Sequence, residues 1–533
     1  METASATGSN ETGASRARPF RLLSRLTALA AAAALLTACS TGPAATGSSP
    51  VTAESSSPAG PTVLRVGVVS LSDADALDPA KATTTGGYIA SRQLFDTLTE
   101  YGTDGSWKPQ LAASVTPGTT ADKWTVTLNA AKWSDGKPVT AADVVATVKR
   151  WFAKKLPPAG SLPFIDPNKV TATDDKTVQF TLKYPTVTFP EALTSPTMAI
   201  VPADFDPAKP IGSGPFVLAS NDPGVQLSFT ANADYFGGAP AASELEVKSF
   251  PDSASAASAL TAGQIDVDAS LDPSLVDTVK TAEGYQVFDY ATSGSLTWVM
   301  NTKQKPFDDP AVRQALRLAV DRQQLIDQVY NGYGTLGNDV FNPFDPMYNS
   351  GLAQRTYDPE AAKKLLTDAG YTLPVKVELV GTNNQPTSER QNQALVQQAK
   401  AAGFDVEYKF VDSATFYGDA YGTYPLSLSY WGFLGIFDQA AFTVTKTAPY
   451  NSSHWVNPEF DKLYNEAITT VEDTKRKELV AGMQQIEYDS GAYIVPLFLS
   501  TVVGLSDKVT GAQAYPNSDG AFGYNFRILG LKG

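Results

Sequence analysis

Two residue types that carry much of protein chemistry occur once each in this chain, as His454 and Cys39. One of each excludes a zinc site built from several His or Cys ligands, and in practice a Cys–His nucleophilic pair. Carboxylates are abundant, at 55 Asp plus Glu. No spacing singles out two of them as an acid/base pair, so an exported hydrolase stands only as a minor alternative. Gly332-Tyr-Gly334-Thr-Leu-Gly337 matches a dinucleotide fingerprint. That chemistry needs a strand before the glycines and a helix after them, whereas here a helical pattern precedes and two prolines follow, so the segment reads as a helix stop and turn. Ser134-Asp-Gly-Lys137 matches an S-x-x-K nucleophile box. Asp135-Gly136 is a turn signal, which takes the lysine off the helical turn that chemistry requires. His454 lies in the polar segment Asn451-Ser-Ser-His-Trp455 and has no second histidine with which to share a metal. No cofactor is expected.

What remains is the aromatic stretch from Tyr424 to Phe442. An alternating strand ends at Tyr430-Trp431-Gly432, and a glycine-containing loop leads on to Asp438. In α/β sheets the loops beyond the carboxyl ends of strands line the ligand crevice, and aromatic faces there stack on ligands. Tyr430, Trp431, Gly432 and Asp438 are therefore the candidate ligand-binding residues; an aromatic core cluster is the competing reading of the rings.

The elements that must position them are mixed α and β. Leu64, Val66 and Val68 alternate with their neighbours as a strand does, and so do Trp124–Leu128 and Val178–Leu182. Thr140 and Asp143 form a capping box before a helix whose stripe is Val144, Val145, Val148, Trp151 and Phe152. Asp309-Pro310, Asp358-Pro359 and Asn457-Pro458 each place a capping side chain before a first-turn proline, and Asp321 caps a further helix. Strands at Val375–Leu379 and Leu426–Tyr430 interleave with these helices, which predicts open α/β sheets with crossover helices.

At 533 residues the chain is too long for one core, so at least two lobes are expected. The net charge of −14 argues against a nucleic-acid partner. Arg16, Arg18, Arg21 and Arg25 precede an apolar run, Leu26 to Ala38, of 13 residues. That is an export-signal pattern, too short for the ~20 residues of a membrane-spanning helix. Residues 39–61 are small, polar and proline-scattered, a flexible tether.

Two resemblances emerge from longer matches. Leu36-Thr37-Ala38-Cys39 resembles a bacterial lipobox, which implies cleavage after residue 38 and a lipid on Cys39. Leu77-Asp78-Pro79, Leu94-Phe95-Asp96-Thr97-Leu98, Trp133 through Val144, Gly212-Ser213-Gly214-Pro215-Phe216, Asn232 through Gly238, Asn301-Thr302 with Pro306 through Leu316, and Asn457 through Asp461 follow in the order of one family. Together they resemble the family 5 extracellular solute-binding proteins of peptide/nickel-type ABC transporters.

That resemblance implies an α/β, bilobal type II periplasmic-binding-protein fold with an extra subdomain in lobe I. Lobe I would comprise residues 62–298 and 499–533, with the insertion near 106–204, and lobe II residues 299–498. Hinge crossings would fall near Trp298–Thr302 and Pro496–Thr501. The implied protein is a monomer tethered by lipid to the extracytoplasmic face of the bacterial cell membrane. It would deliver a small solute to ABC permease subunits served by a separate ATPase, since the chain has no G-x-x-x-x-G-K-[ST] loop. A lipid-anchored sensor is the alternative. Peptide-binding relatives commonly carry W-x-x-D, whose carboxylate holds the peptide ammonium, but Leu434 follows Trp431-Gly432-Phe433 here. Asp438 is the candidate substitute, and sugars, modified peptides and metal chelates stay open beside oligopeptides.

Overall fold

Short strands and capped helices collect into three main sheets in the computed structural model, which describes residues 62–532 apart from 70, 72–76, 384–386 and 519. The expected signal segment, Cys39 and the tether lie outside the described residues. The first sheet has eight strands. Seven run in the order Tyr285–Ala291, Leu497–Ser506, Val267–Asp268, Val63–Val69, Glu244–Phe250, Gln226–Ala231, Phe216–Asp222, and Gly334–Leu336 pairs with Leu497–Leu499. Val63–Val69 is parallel to Glu244–Phe250, with Val63 opposite Glu244. Its alternation puts Leu64, Val66 and Val68 into a core with Phe216, Phe229 and Leu245.

A second sheet runs Phe404–Phe410, Val375–Gly381, Leu426–Trp431, Ser295–Met300, Tyr493–Ile494. The first three strands are mutually parallel and are joined through helices such as Ser388–Ala401. Its core takes in Trp298, Leu316, Leu325, Leu379, Leu428 and Phe460. The aspartate and asparagine caps form as expected: Asp309 accepts from Ala311 N at 2.8 Å, Asp321 from Gln324 N at 3.0 Å, Asp358 from Ala361 N at 2.9 Å and Asn457 from Glu459 N at 3.0 Å.

A third, four-stranded antiparallel sheet (Ala112–Pro117, Lys123–Leu128, Thr177–Leu182, Ile165–Ala172) lies in the chain between strands Val63–Val69 and Phe216–Asp222 of the first sheet, and with that sheet makes up the first body, the elements around the second sheet making up the second. Helix Ala141–Ala153 packs on it, and Thr140 N donates to Asp143 Oδ2 at 2.9 Å in the capping box. Phe189 is fully buried there, 4.9 Å from the Phe180 ring and 5.3 Å from that of Trp124. It anchors the short helix Phe189–Ala192 at the body's edge.

Three of the quoted motifs converge on one carboxylate. Asp96 is fully buried and accepts hydrogen bonds from Ser213 Oγ at 2.7 Å, Tyr235 OH at 2.8 Å and Gln110 Nε2 at 3.1 Å. Burial outweighs those bonds and pushes its carboxyl up to about 7. Gly214 packs so closely that a Cβ would lie 2.5 Å from Gln93 O, a backbone atom that cannot swing away.

In the second body Asp339 is enclosed by arginines: Arg322 at 2.8 Å, Arg355 at 2.8 Å and Arg317 at 3.7 Å. Their charges hold its carboxyl below the ordinary aspartate range despite burial, which acts the other way and is the largest single influence. Asp339 also accepts from Val495 N at 3.2 Å, so it pins the start of the loop that continues to Asp345.

Candidate functional site

The chain passes from the first sheet to the second between Ala291 and Ser295, just before the expected crossing, and returns at Val495–Pro496. Both passages lie at one end of the second sheet, because Ser295 is opposite Trp431 in the antiparallel pair. Buried Asn517 ties segments together beside the first crossing. Ser293 Oγ donates to Asn517 Oδ1 at 2.8 Å, and Asn517 Nδ2 donates to Gly105 O at 2.7 Å and Phe344 O at 3.3 Å. Gly105 belongs to the first body and Phe344 to the second, so this asparagine stands where the two meet.

The strand Leu426–Trp431 delivers the predicted aromatic residues to this end. Tyr430 is 40% exposed, with its hydroxyl beside Gly294. Trp431 is half-buried against the second core, and its Nε1 is enclosed with no hydrogen-bond partner among the described residues. Gly432, Phe433 and Leu434 are half-buried and lead to helix Ile436–Thr443, with Gly435 at its N-cap. The Phe433 ring packs edge-on to Tyr101 of the first body, centroids 4.9 Å apart.

Asp438, in the first turn of that helix, faces carboxylates that the sequence did not single out. Glu191, on the short helix anchored by Phe189, accepts a hydrogen bond from Tyr101 OH at 2.8 Å. Asp345, from the loop pinned by Asp339, accepts weakly from Ile436 N at 3.4 Å. Burial is the leading cause of all three shifts. It raises Asp438 to about 6; it raises Glu191, with added repulsion from Asp345 and Asp438, to about 8; and it raises Asp345 against the pull of its backbone bonds and Arg476. All three residues are only half-buried by accessible surface, so they are walled by protein yet open in part to water. Such a cluster favours a proton or a cationic group set among the carboxylates.

The structure thus brings Asp438 together with Glu191, Asp345 and Tyr101, and places Tyr430 and Trp431 on the adjoining strand end. Glu191 and Asp345 follow or precede prolines in irregular segments, and no local pattern marks them. His454 serves a structural role: its Nε2 donates to the Gly422 carbonyl at 2.8 Å, joining two loops. The Gly332–Gly337 segment turns from helix Arg322–Val329 into the edge strand Gly334–Leu336, and the next helix begins only at Pro359, so no helix follows the glycines directly as the fingerprint requires. Among the described residues no group of three or more His, Cys, Asp or Glu is arranged to hold a metal ion. No helix among them is long and apolar enough to cross a membrane.

Residues 106–453 match the family described as bacterial extracellular solute-binding proteins, family 5. The chain belongs to that family. It is 25% identical over 480 residues to the probable D,D-dipeptide-binding periplasmic protein DdpA of Escherichia coli, covering 85% of this chain and 92% of that one. It is 26% identical over 454 residues to the nickel-binding periplasmic protein of E. coli, covering 78% and 85% respectively. Among solved structures, the ABC transporter substrate-binding protein CtaP of Listeria monocytogenes superposes with a TM-score of 0.76 at 25% identity, covering 88% of this chain and 99% of that chain. This family 5 protein therefore has the bilobal type II periplasmic-binding fold and acts as an extracytoplasmic substrate-binding receptor of an ABC importer. Its relatives are transport binding proteins, and it works with membrane permease components.

Proposed function

We propose that the receptor captures a small peptide-like solute carrying a cationic group, in the space where Trp431, Asp438, Glu191 and Asp345 meet. The observation that carries this reading is the convergence of carboxylates from both bodies, each raised chiefly by desolvation. A ligand cation there relieves like-charge repulsion and is bound by both lobes at once, which favours the closed state. Tyr430 and Trp431, with Gly432 giving room, form the neighbouring platform for a planar or apolar part of the ligand. The dipeptide- and nickel-binding relatives fit a ligand of this charge, and a metal chelate is the second member of the same class. The lobes move about the crossings at 292–294 and 495–496, and the four-stranded sheet is the subdomain inserted in lobe I. The protein is read as a monomer without catalysis, anchored by lipid on Cys39 after removal of residues 1–38.

Native mass spectrometry of the full-length protein with co-purified ligand retained identifies the ligand, and calorimetric titration with that ligand tests the site. A cationic peptide-like ligand or chelate whose binding weakens in Asp438→Asn supports the reading. An uncharged sugar, or wild-type affinity in that variant, refutes it.

A further inference from the structure

Gly435 has φ −51° and ψ 158°, a backbone geometry open to any residue, so its lack of a side chain is not explained by the backbone. Space explains it. A Cβ at Gly435 would lie 2.2 Å from Glu191 Oε1, 2.5 Å from its Cδ and 2.6 Å from Oε2. The carboxyl group of a first-lobe residue thus occupies the notch that a second-lobe glycine leaves empty.

Contacts around the notch join the same two bodies. Tyr101 OH holds Glu191 at 2.8 Å, and the Tyr101 ring packs on Phe433, two residues before Gly435. Val187 N, four residues before Glu191, donates to Ile468 O of the second body at 2.8 Å. The charged and titratable groups facing Glu191 are Tyr101 from its own lobe, Asp345 and Asp438 from the opposite loop and helix, and Arg476 from helix Asp473–Ser490; Tyr464 faces Asp438 in turn. Negative charge predominates on the side that Glu191 enters.

We propose that Glu191 and the Gly435 notch form a latch that closes the lobes of the ligand-free receptor when Glu191 is protonated and releases them when it ionises. The proposal rests on the reading of the cleft given above, and adds that a proton does for the empty receptor what a ligand cation does for the loaded one. The direction follows from linkage. Burial and its carboxylate neighbours raise Glu191 from 4.5 to about 8 where it is seated in the notch, so seating it there takes up a proton between those values. The closed state is favoured below that window and loses ground as pH rises through it.

The test uses ligand-stripped full-length protein, with Cys39→Ser removing the native thiol and spin labels at Lys154→Cys and Lys477→Cys, exposed positions on the two lobes. Double electron–electron resonance reads the closed-to-open ratio. The expected result is a fall of at least about tenfold from pH 6 to pH 9, a fall at least about fivefold smaller in Glu191→Gln, where only Asp345 and Asp438 still titrate, and a shift toward open at every pH in Gly435→Ala. Because Glu191→Gln keeps the shape and removes the charge, a loss of closure in that variant at low pH overturns the latch. So does a wild-type ratio that pH does not move, or a Gly435→Ala protein that closes like the wild type. No ligand is present, so these outcomes are independent of whether the cationic-ligand reading holds.

Discussion

Replacing Asp339 by asparagine isolates one charge in the second lobe. Asp339 sits at φ +63°, a left-handed conformation that asparagine tolerates, so the backbone is not strained by the change. The side chain keeps its shape and one oxygen that can still accept from Val495 N. The negative charge that faces Arg317, Arg322 and Arg355 is lost, and the Oδ2 acceptor with it, so Arg322 Nη2 keeps only its 2.8 Å bond to Oδ1 and loses the one at 2.9 Å. Arg317 is fully buried and Arg322 nearly so. Removing one member of a buried ion pair typically costs about 3–5 kcal/mol, because the remaining charge is left without compensation. Three guanidinium groups sharing one carboxylate place this case toward the upper end. Two-lobed proteins need not unfold in one step, so the readout is local: amide hydrogen exchange in helices Pro310–Leu318 and Arg322–Val329, which carry Arg317 and Arg322. Their protection should fall by about a hundredfold or more. A second consequence follows from the same loop, since Asp339 fixes the segment that brings Phe344 and Asp345 to the cleft; ligand affinity should fall as well. Protection within about fivefold of the wild type would refute the view that this carboxylate neutralises the cluster.

Three further outcomes are expected. Trp431→Ala should weaken binding of the co-purified ligand roughly tenfold or more with an unchanged circular dichroism spectrum, as loss of a stacked ring of about 1–3 kcal/mol requires; unchanged affinity would place the ring in the core alone. Cys39→Ser should release the protein from the membrane fraction or leave it unprocessed, since a lipid chain contributes ~0.8 kcal/mol per buried methylene; unchanged retention would sink the lipid anchor. The wild-type urea midpoint should fall as pH rises from 5 to 8, because Asp96 at about 7 is raised above its ordinary value of 3.8 and folding must give up that proton's stabilisation through this window. Asp96→Asn should flatten part of that slope, and an identical slope would mean that other groups carry it.

The legible parts of this fold were those written in local chemistry. Asp309, Asp321, Asp358 and Asn457 cap helices because a short acceptor before a first turn satisfies nearby N–H groups wherever it occurs. Leu64, Val66 and Val68 announce a strand by period alone. The quoted motif residues were informative about family, and Asp96, Ser213 and Tyr235 hold a joint within the first lobe. Asp438 was singled out from its place beyond a strand end. Glu191 and Asp345 were not, because the partners they acquire lie roughly 90 to 250 residues away in sequence, and only the folded chain supplies them. Gly435 was not singled out either, and what a Cβ there would meet is a carboxyl group on the other lobe.

Two acidic centres, one within the second lobe and one where the two lobes meet, stand in contrast. At Asp339 three arginines compensate one buried carboxylate and lower its proton affinity. At the cleft, three carboxylates share a space in which desolvation dominates and raises theirs. Both arrangements use the same physics with opposite sign, and they are linked through one loop: the satisfied centre at Asp339 holds the segment that presents the unsatisfied Asp345. A cluster left short of positive charge costs folding energy, and it persists only where the rest of the lobe over-determines it. In the function proposed above, that unmet demand is what a ligand cation would satisfy, and because Glu191 comes from the opposite lobe, satisfying it would also favour closure. On that proposal, binding and conformational change are one electrostatic event rather than two.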